Sequence, residues 1–151
     1  MADDDDELNL GLLLLIPYRF METAVLATLK AHGHDIGLSQ ARVFQRIAPG
    51  GSRLAELADA AQVSKQTVGS IVDQLEGAGY VKRVPDPRDA RARLVQLTAK
   101  GHQLVAIGIP VIRGIEADWE ERLGPAQMRQ LKQLLASLRE ITDPFRQPQR
   151  P

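Results

Sequence analysis

The sequence predicts an α+β fold, mostly helical, with a single small β-hairpin set among the helices. Three observations predict it. Apolar residues recur every three or four positions over most of the 151-residue chain. Strict alternation of apolar and polar residues is confined to residues 80–85 and 91–97, on either side of Asp86-Pro87-Arg88-Asp89. Residues 53–79 divide into two short amphipathic stretches separated by a turn at Gln62-Val63.

Taken in order, residues 1–7 hold Asp3, Asp4, Asp5, Asp6 and Glu7 and read as a solvated acidic tail. From residue 8 to about 31, Leu8, Leu12, Leu15, Arg19, Glu22, Leu26 and Leu29 keep helical spacing. Pro17 lies inside that run and removes an i−4 hydrogen bond, which predicts a kink or a restart. Gly33 is the expected left-handed cap. Residues 38–47 read as a short helix with Ser39 as N-cap, broken by Pro49-Gly50-Gly51. Ser52 is the expected cap of the next helix, 53–61, whose buried face is Leu54, Leu57, Ala58 and Ala61.

Ser64 then caps a helix in which Val68, Ile71, Val72 and Leu75 form the apolar stripe, with Gly79 as the left-handed stop. The hairpin follows, with a long polar tip at residues 86–89. Thr98 caps a long helix to about residue 122, expected to bend near Pro110. Pro125 starts the last helix at its favoured first position, and Met128, Leu131, Leu134, Leu135, Leu138 and Ile141 stripe it. Residues 144–151 read as a frayed tail.

The charge balance narrows the function. Nineteen basic and nineteen acidic residues give a formal net charge of zero, so no global positive field exists to attract a polyanion. Residues 62–100, however, carry seven basic side chains against four acidic ones, a local +3. There is no cysteine, which excludes disulfides, thiolate zinc sites and thiol redox sensing. The apolar run 12–16 is shorter than the roughly 20 residues a bilayer span needs. The segment before it is acidic, unlike a signal peptide. A cytoplasmic, nucleoid-associated protein with no membrane partner is the expectation. No nucleophile triad, phosphate loop or paired-carboxylate pattern is present, so neither an enzyme nor a cofactor is expected. His32, His34 and His102 are too scattered to make a convincing metal site.

What remains is a pair of helices whose second member presents Ser64, Lys65, Gln66, Thr67, Ser70, Asp73 and Gln74 outward, followed by a basic hairpin. A helix so presented can enter a DNA major groove. There Gln66 and Gln74 suit an adenine edge, Thr67 suits a base or a thymine methyl, and Ser64, Lys65 and Ser70 suit phosphates or base edges. The tip residues Arg88 and Arg91 suit the negative potential of a narrow minor groove, with Asp89 placed to hold the Arg91 guanidinium. Double-stranded DNA is the expected partner.

The run from Ser64-Lys65-Gln66-Thr67-Val68 to Tyr80-Val81-Lys82-Arg83, then Asp89-Ala90-Arg91 and Leu97-Thr98-Ala99-Lys100-Gly101, resembles the MarR family of bacterial transcription regulators. The resemblance implies a winged helix-turn-helix at residues 38–101. It also implies a helical dimerisation region from residues 8–37 and 102–143, interleaved between two subunits. A homodimer on a pseudo-palindromic operator, usually a repressor released by a small aromatic or phenolic effector, is implied with it. Arg91 would be the minor-groove residue and Asp89 its positioning partner. Two positions depart from the family pattern: Gly69 lies inside the recognition helix, and Ala90 stands where a basic residue is common. The apolar stripes at the two chain ends support dimerisation independently, since a monomer would leave one exposed.

The resemblance places an effector cavity between the first, second and long helices. Tyr18, Met21, Phe44 and His34 are the candidate lining residues, with Arg19 or Arg42 as anion anchors. Trp119 is assigned to the dimer interface. The competing readings are a ligand-independent activator or architectural DNA binder and, behind it, a metal-responsive regulator built on the histidines.

Overall fold

A computed structural model describes residues 8–143. It contains α1 (Leu10–Ala31), α2 (Leu38–Phe44), α3 (Leu54–Ala61), α4 (Lys65–Gly77), β1 (Val81–Asp86), β2 (Asp89–Leu97), α5 (Ala99–Leu123) and α6 (Pro125–Thr142). The expected acidic and frayed tails, residues 1–7 and 144–151, lie outside the described residues.

Helix ends follow local chemistry where a side chain or glycine can supply it. Gly33 and Gly79 both take positive φ, 85° and 84°. The His34 N–H then bonds the Leu29 carbonyl and the Tyr80 N–H bonds the Leu75 carbonyl, which closes α1 and α4. Ser64 and Thr98 cap α4 and α5 through their hydroxyls, accepting from the Thr67 and Gly101 N–H groups. Two expected caps are corrected. Ser39 lies within α2, whose N-cap is Gly37, and the Gln40 side chain accepts the Gly37 N–H at 2.8 Å. Ser52 does not cap α3, whose N-cap is Arg53. Its backbone instead pairs with Val95, and its hydroxyl accepts the Ala48 N–H at 2.9 Å. Ser52 thus adds a one-residue third strand to the hairpin.

Pro17 and Pro110 lie inside helices that run through them, so α1 does not restart and α5 is one element. The helix-turn-helix core is Leu57, Val68, Val72 and Leu75, with Val43 from α2 and Val81 and Val95 from the hairpin, all fully buried. The turn between α3 and α4 is made by Gln62 in the left-handed region, φ 57°. Helix α1 packs on α5 and α5 on α6. The end of α6 is tied to the segment between α2 and α3 by Asp143, whose carboxylate takes Arg46 of that segment and Arg139 of α6 at 2.8 Å each.

Much of the apolar stripe of α1 and α6 is exposed among the described residues. Leu13, Ile16 and Phe20 on α1 and Leu134, Leu138 and Ile141 on α6 are exposed, Ile141 at 83%. By length and composition alone α1, 22 residues with a mean hydropathy of 1.5 over its most apolar window, is long and apolar enough to cross a membrane. The apolar run 12–16 lies inside this helix. Arg19 and Glu22 sit in the same helix, and Glu22 is ion-paired to α2.

Candidate nucleic-acid interface and the cavity behind it

Helix α4 separates its faces cleanly. Val68, Ile71, Val72 and Leu75 are buried, while Ser64, Lys65, Gln66, Thr67, Ser70, Asp73 and Gln74 are exposed. The Ser64 hydroxyl accepts the Thr67 N–H at 3.0 Å and lies 2.7 Å from the Thr67 hydroxyl, so these two are fixed to each other at the helix start. Gln74 is less free than its position suggests: its Oε1 accepts from Gln40 Nε2 at 3.1 Å, joining α4 to α2. Lys65, Gln66 and Ser70 have no side-chain hydrogen bond or ion pair among the described residues.

The wing tip is tighter than expected. The strands run up to a two-residue turn at Pro87-Arg88, with an irregularity in register between Pro85 and Asp86. Asp86 builds this turn. Its carboxylate, with a side-chain exposure of 0%, accepts the Arg88 N–H at 2.9 Å and Arg53 at 2.7 Å. The Arg88 N–H, then the Arg53 guanidinium, hold the Asp86 carboxyl below its usual range against the opposing effect of desolvation. Asp followed by Pro is the signal that marks such a turn, with the carboxylate closing back onto the backbone two residues on. Sequence reasoning nevertheless passed over both Asp86 and Arg53.

The expected Asp89–Arg91 side-chain pair is corrected as well. The Asp89 carboxylate accepts the Arg91 backbone N–H at 3.0 Å, and no ion pair joins the two side chains among the described residues. Asp89 shapes the chain two residues on and leaves the guanidinium unheld. Arg88 is partly spent, its Nε 3.4 Å from Asp86. Arg83 is fully spent: it bridges Asp73 at 2.7 Å and Glu76 at 2.8 Å, and so locks β1 to α4. Lys65, Lys82, Arg91 and Arg93 are exposed and carry no ion pair among the described residues. These four cations are available to phosphates.

Behind the wing, α5 begins against the hairpin base. The Thr98 N–H bonds the Tyr80 carbonyl at 3.1 Å and its hydroxyl bonds the Gly79 carbonyl at 2.5 Å. A Cβ at Gly101 would collide with the Tyr80 carbonyl oxygen, so the glycine permits the helix to approach this closely. Buried Tyr80, its phenol pushed up by desolvation and secondarily by Asp35, lies under Lys100 at 4.5 Å. Its hydroxyl meets His34 Nδ1 at 3.0 Å. His34 is therefore a structural contact of this junction and does not line the cavity. His32 turns to the Thr28 carbonyl, and no group of metal-ligating side chains is present among the described residues.

A cavity of about 270 Å³ lies between α1, α2 and α5. Tyr18, Met21, Phe44 and Arg42 line it, as expected; Arg19 and His34 do not. Its walls are otherwise mostly apolar, with Val25, Leu26, Leu104 and Ile112 among them. Its polar end is organised by Glu22, which takes Arg42 in a two-point pair at 2.7 and 3.1 Å and the Tyr18 hydroxyl at 3.2 Å. Arg42 holds the Glu22 carboxyl below the usual range, and Glu22 raises Arg42 in return. Arg19 lies outside, 3.6 Å from Glu22 and half exposed. Glu22 was not singled out from the sequence, because its partner is twenty residues away.

Comparison with known proteins bears on both regions. The MarR family model matches residues 34–92. The transcriptional regulator HosA of Escherichia coli O111:H- is 32% identical over 106 residues, which is 69% of this chain and 78% of HosA. The crystal structure of the Mycobacterium tuberculosis MarR family protein Rv2887 in complex with salicylic acid has a TM-score of 0.62 at 30% identity. It covers 88% of this chain and 98% of that one. NadR in complex with 4-hydroxyphenylacetate has a TM-score of 0.69 at 27% identity over 91% and 97% of the two chains. Family and fold are those of transcription regulators, not of enzymes. The family model spans α2 to α4 and the hairpin as far as the start of β2, the likeness in fold spans nearly the whole chain, and the protein belongs to the MarR family of transcriptional regulators.

Proposed function

We propose that the protein is a homodimeric repressor that binds a pseudo-palindromic duplex operator and is released by a small aromatic or phenolic ligand. The observation that carries the DNA-binding part is the set of uncommitted cations, Lys65, Lys82, Arg91 and Arg93, beside a capped recognition helix. Within residues 62–100 these are the basic side chains left without an ion pair or side-chain hydrogen bond to meet a polyanion. Residues 64–70 face the major groove, where Gln66 reads a base edge and the start of α4 directs its dipole at a phosphate. Arg91, and more weakly Arg88, enters the minor groove. Gln74, tied to Gln40, positions α4 and makes at most a peripheral contact.

Dimerisation follows from the uncovered faces of α1 and α6. Exposed Leu13, Ile16 and Phe20 on one and Leu134, Leu138 and Ile141 on the other are removed from water by a second copy. Two copies place recognition helices in successive major grooves, about 10–10.5 base pairs apart. The cavity lies where an occupant can act on that spacing. Its α2 wall is joined to α4 through Gln40–Gln74, and its α5 wall continues from the turn that grips Tyr80. A ligand that wedges α2 from α5 shifts the recognition helix against the wing.

The test is selection of bound sites from a randomised duplex library, then footprinting and competition with aromatic compounds. Two protected half-sites one helical turn apart, released by a compound that also raises the melting temperature, are the expected result. Protection without sequence preference removes the operator reading. Site-specific binding that no compound releases leaves a ligand-independent DNA binder instead.

A further inference from the structure

We propose that Glu22 sets the class of effector, selecting an uncharged aromatic hydroxyl compound over an aromatic carboxylate. The inference rests on the reading of the α1–α2–α5 cavity as the effector site. Among the side chains lining that cavity, Arg42 is the one cation and Glu22 the one anion, and they are already paired at two points. The Glu22 side chain is only 8% exposed.

An incoming carboxylate has two choices. It can sit against the paired groups, where Arg42 has no unspent positive charge for it and Glu22 repels it. Otherwise it can take Arg42 away and leave the Glu22 carboxylate uncompensated in a mostly apolar wall. Drawing Arg42, 43% exposed, away from Glu22 is costly because the Glu22 carboxylate, largely out of water, stays behind unpaired. Arg19 approaches Glu22 only from outside, at 3.6 Å and 54% side-chain exposure, and screens little of that cost.

An uncharged hydroxyl meets neither obstacle. Arg42 commits Nε and Nη2 to Glu22 and also meets the Tyr18 hydroxyl, which still leaves a guanidinium N–H that can donate to the ligand oxygen. Glu22 can accept the ligand O–H, a bond no carboxylate can offer. The Tyr18 hydroxyl is already occupied, donating to Glu22 and accepting from Gln45 at 3.3 Å. One hydroxyl on an aromatic body therefore matches a mostly apolar chamber with a single self-neutralised polar end.

The experiment compares 2-naphthol with 2-naphthoate, one ring system carrying a neutral hydroxyl or a carboxylate at pH 7. Binding is measured by calorimetry on the full chain and on Glu22→Gln, which keeps the side-chain shape and removes its charge. For the unaltered protein, naphthol should bind at least about tenfold more tightly than naphthoate, a difference of roughly 1.4 kcal/mol. In Glu22→Gln, naphthoate should gain about tenfold or more, because Arg42 is no longer neutralised. A preference for naphthoate in the unaltered protein overturns the inference and leaves the cavity reading intact; that comparison holds even if the variant does not fold. A naphthoate affinity unmoved by Glu22→Gln, in a variant that melts cooperatively, overturns it too. Failure of both compounds to bind either protein overturns the cavity reading and the inference together.

Discussion

Gly69 in α4 and Gly101 in the first turn of α5 are both helical glycines, yet the same change to alanine should act on them with opposite sign. Helix propensity alone favours alanine by about 0.8–1 kcal/mol at either position. At Gly69 the added Cβ meets only Leu54 Cδ2, at 3.7 Å, an ordinary contact. Gly69→Ala should therefore keep the gain and stabilise the protein by about 0.8–1 kcal/mol. At Gly101 the methyl collides with the Tyr80 carbonyl oxygen and comes within 3.3 Å of Leu97 Cβ. The obstacle is backbone at the base of the hairpin, so α5 must back away. Overpacking of this kind costs about 1–3 kcal/mol. Retreat of the helix also weakens the two Thr98 bonds to Tyr80 and Gly79, each contributing roughly 0.5–1.5 kcal/mol. After the propensity gain, Gly101→Ala should destabilise by about 1–5 kcal/mol. Urea unfolding at one fixed protomer concentration reads both values from the midpoints. A Gly101→Ala protein as stable as its parent would refute the close-approach reasoning. A Gly69→Ala protein destabilised by more than about 0.5 kcal/mol would show that α4 needs glycine for a reason other than space.

Arg91→Ala should weaken operator binding by about 1–3 kcal/mol and reduce the salt-dependence slope by about 0.9; an unchanged slope in a salt titration removes Arg91 from the interface. Arg83→Ala, equally basic and in the same hairpin, should leave the slope nearly intact, because Asp73 and Glu76 already neutralise Arg83. For Asp86 the lowered carboxyl pKa fixes the sign: its stabilisation is present above the ordinary aspartate value of about 3.9 and is lost as pH falls through the lower folded value. The stability gap between the protein and Asp86→Asn should thus be flat above about pH 5 and close at lower pH, and a gap unchanged down to about pH 2 contradicts the assignment. Leu134→Glu, which puts a charge on the exposed α6 face, should yield monomers in sedimentation velocity; a dimer of unchanged affinity moves the interface elsewhere.

The features readable in the sequence were those set by neighbours within one helical turn. Ser64 and Thr98 cap because a hydroxyl three residues before a free N–H needs nothing else. Gly33 and Gly79 end helices because their backbones reach positive φ without strain. The buried stripe of α4 follows from its periodicity alone. Ser39 and Ser52 carry the same local signal, and there it failed. Gln40 captures the Gly37 N–H and starts α2 two residues earlier, while the backbone of Ser52 is claimed by Val95, over forty residues away. Within the cavity, Tyr18, Met21, Arg42 and Phe44 were reached through the family resemblance, not through helical phase. The resemblance could not reveal that His34 turns to Tyr80, or that Arg19 faces outward.

The harder distinction is between a charge that is present and one that is free. Residues 62–100 hold seven basic side chains, and by composition they are interchangeable. Folding divides them. Arg83 is neutralised by two acids of α4, Arg88 leans on the aspartate that builds its own turn, and Lys100 is drawn to the Ala78 carbonyl at 2.7 Å. The remaining four face solvent without partners among the described residues. The same division operates in the cavity, where Arg42 looks like an anion anchor until Glu22 is seen beside it. Sequence spacing predicts a pair such as Asp89–Arg91 because the two are near in the chain. Yet a carboxylate two residues from a backbone N–H closes a local turn with fewer degrees of freedom to fix than a contact with the end of a long arginine requires. Short-range acids therefore tend to shape the backbone, and acids from another element neutralise the cations. A count of basic side chains thus overstates what a surface offers to DNA by the cations that acids claim, here Arg83 outright by the acids of α4 and Arg88 in part by the aspartate of its own turn.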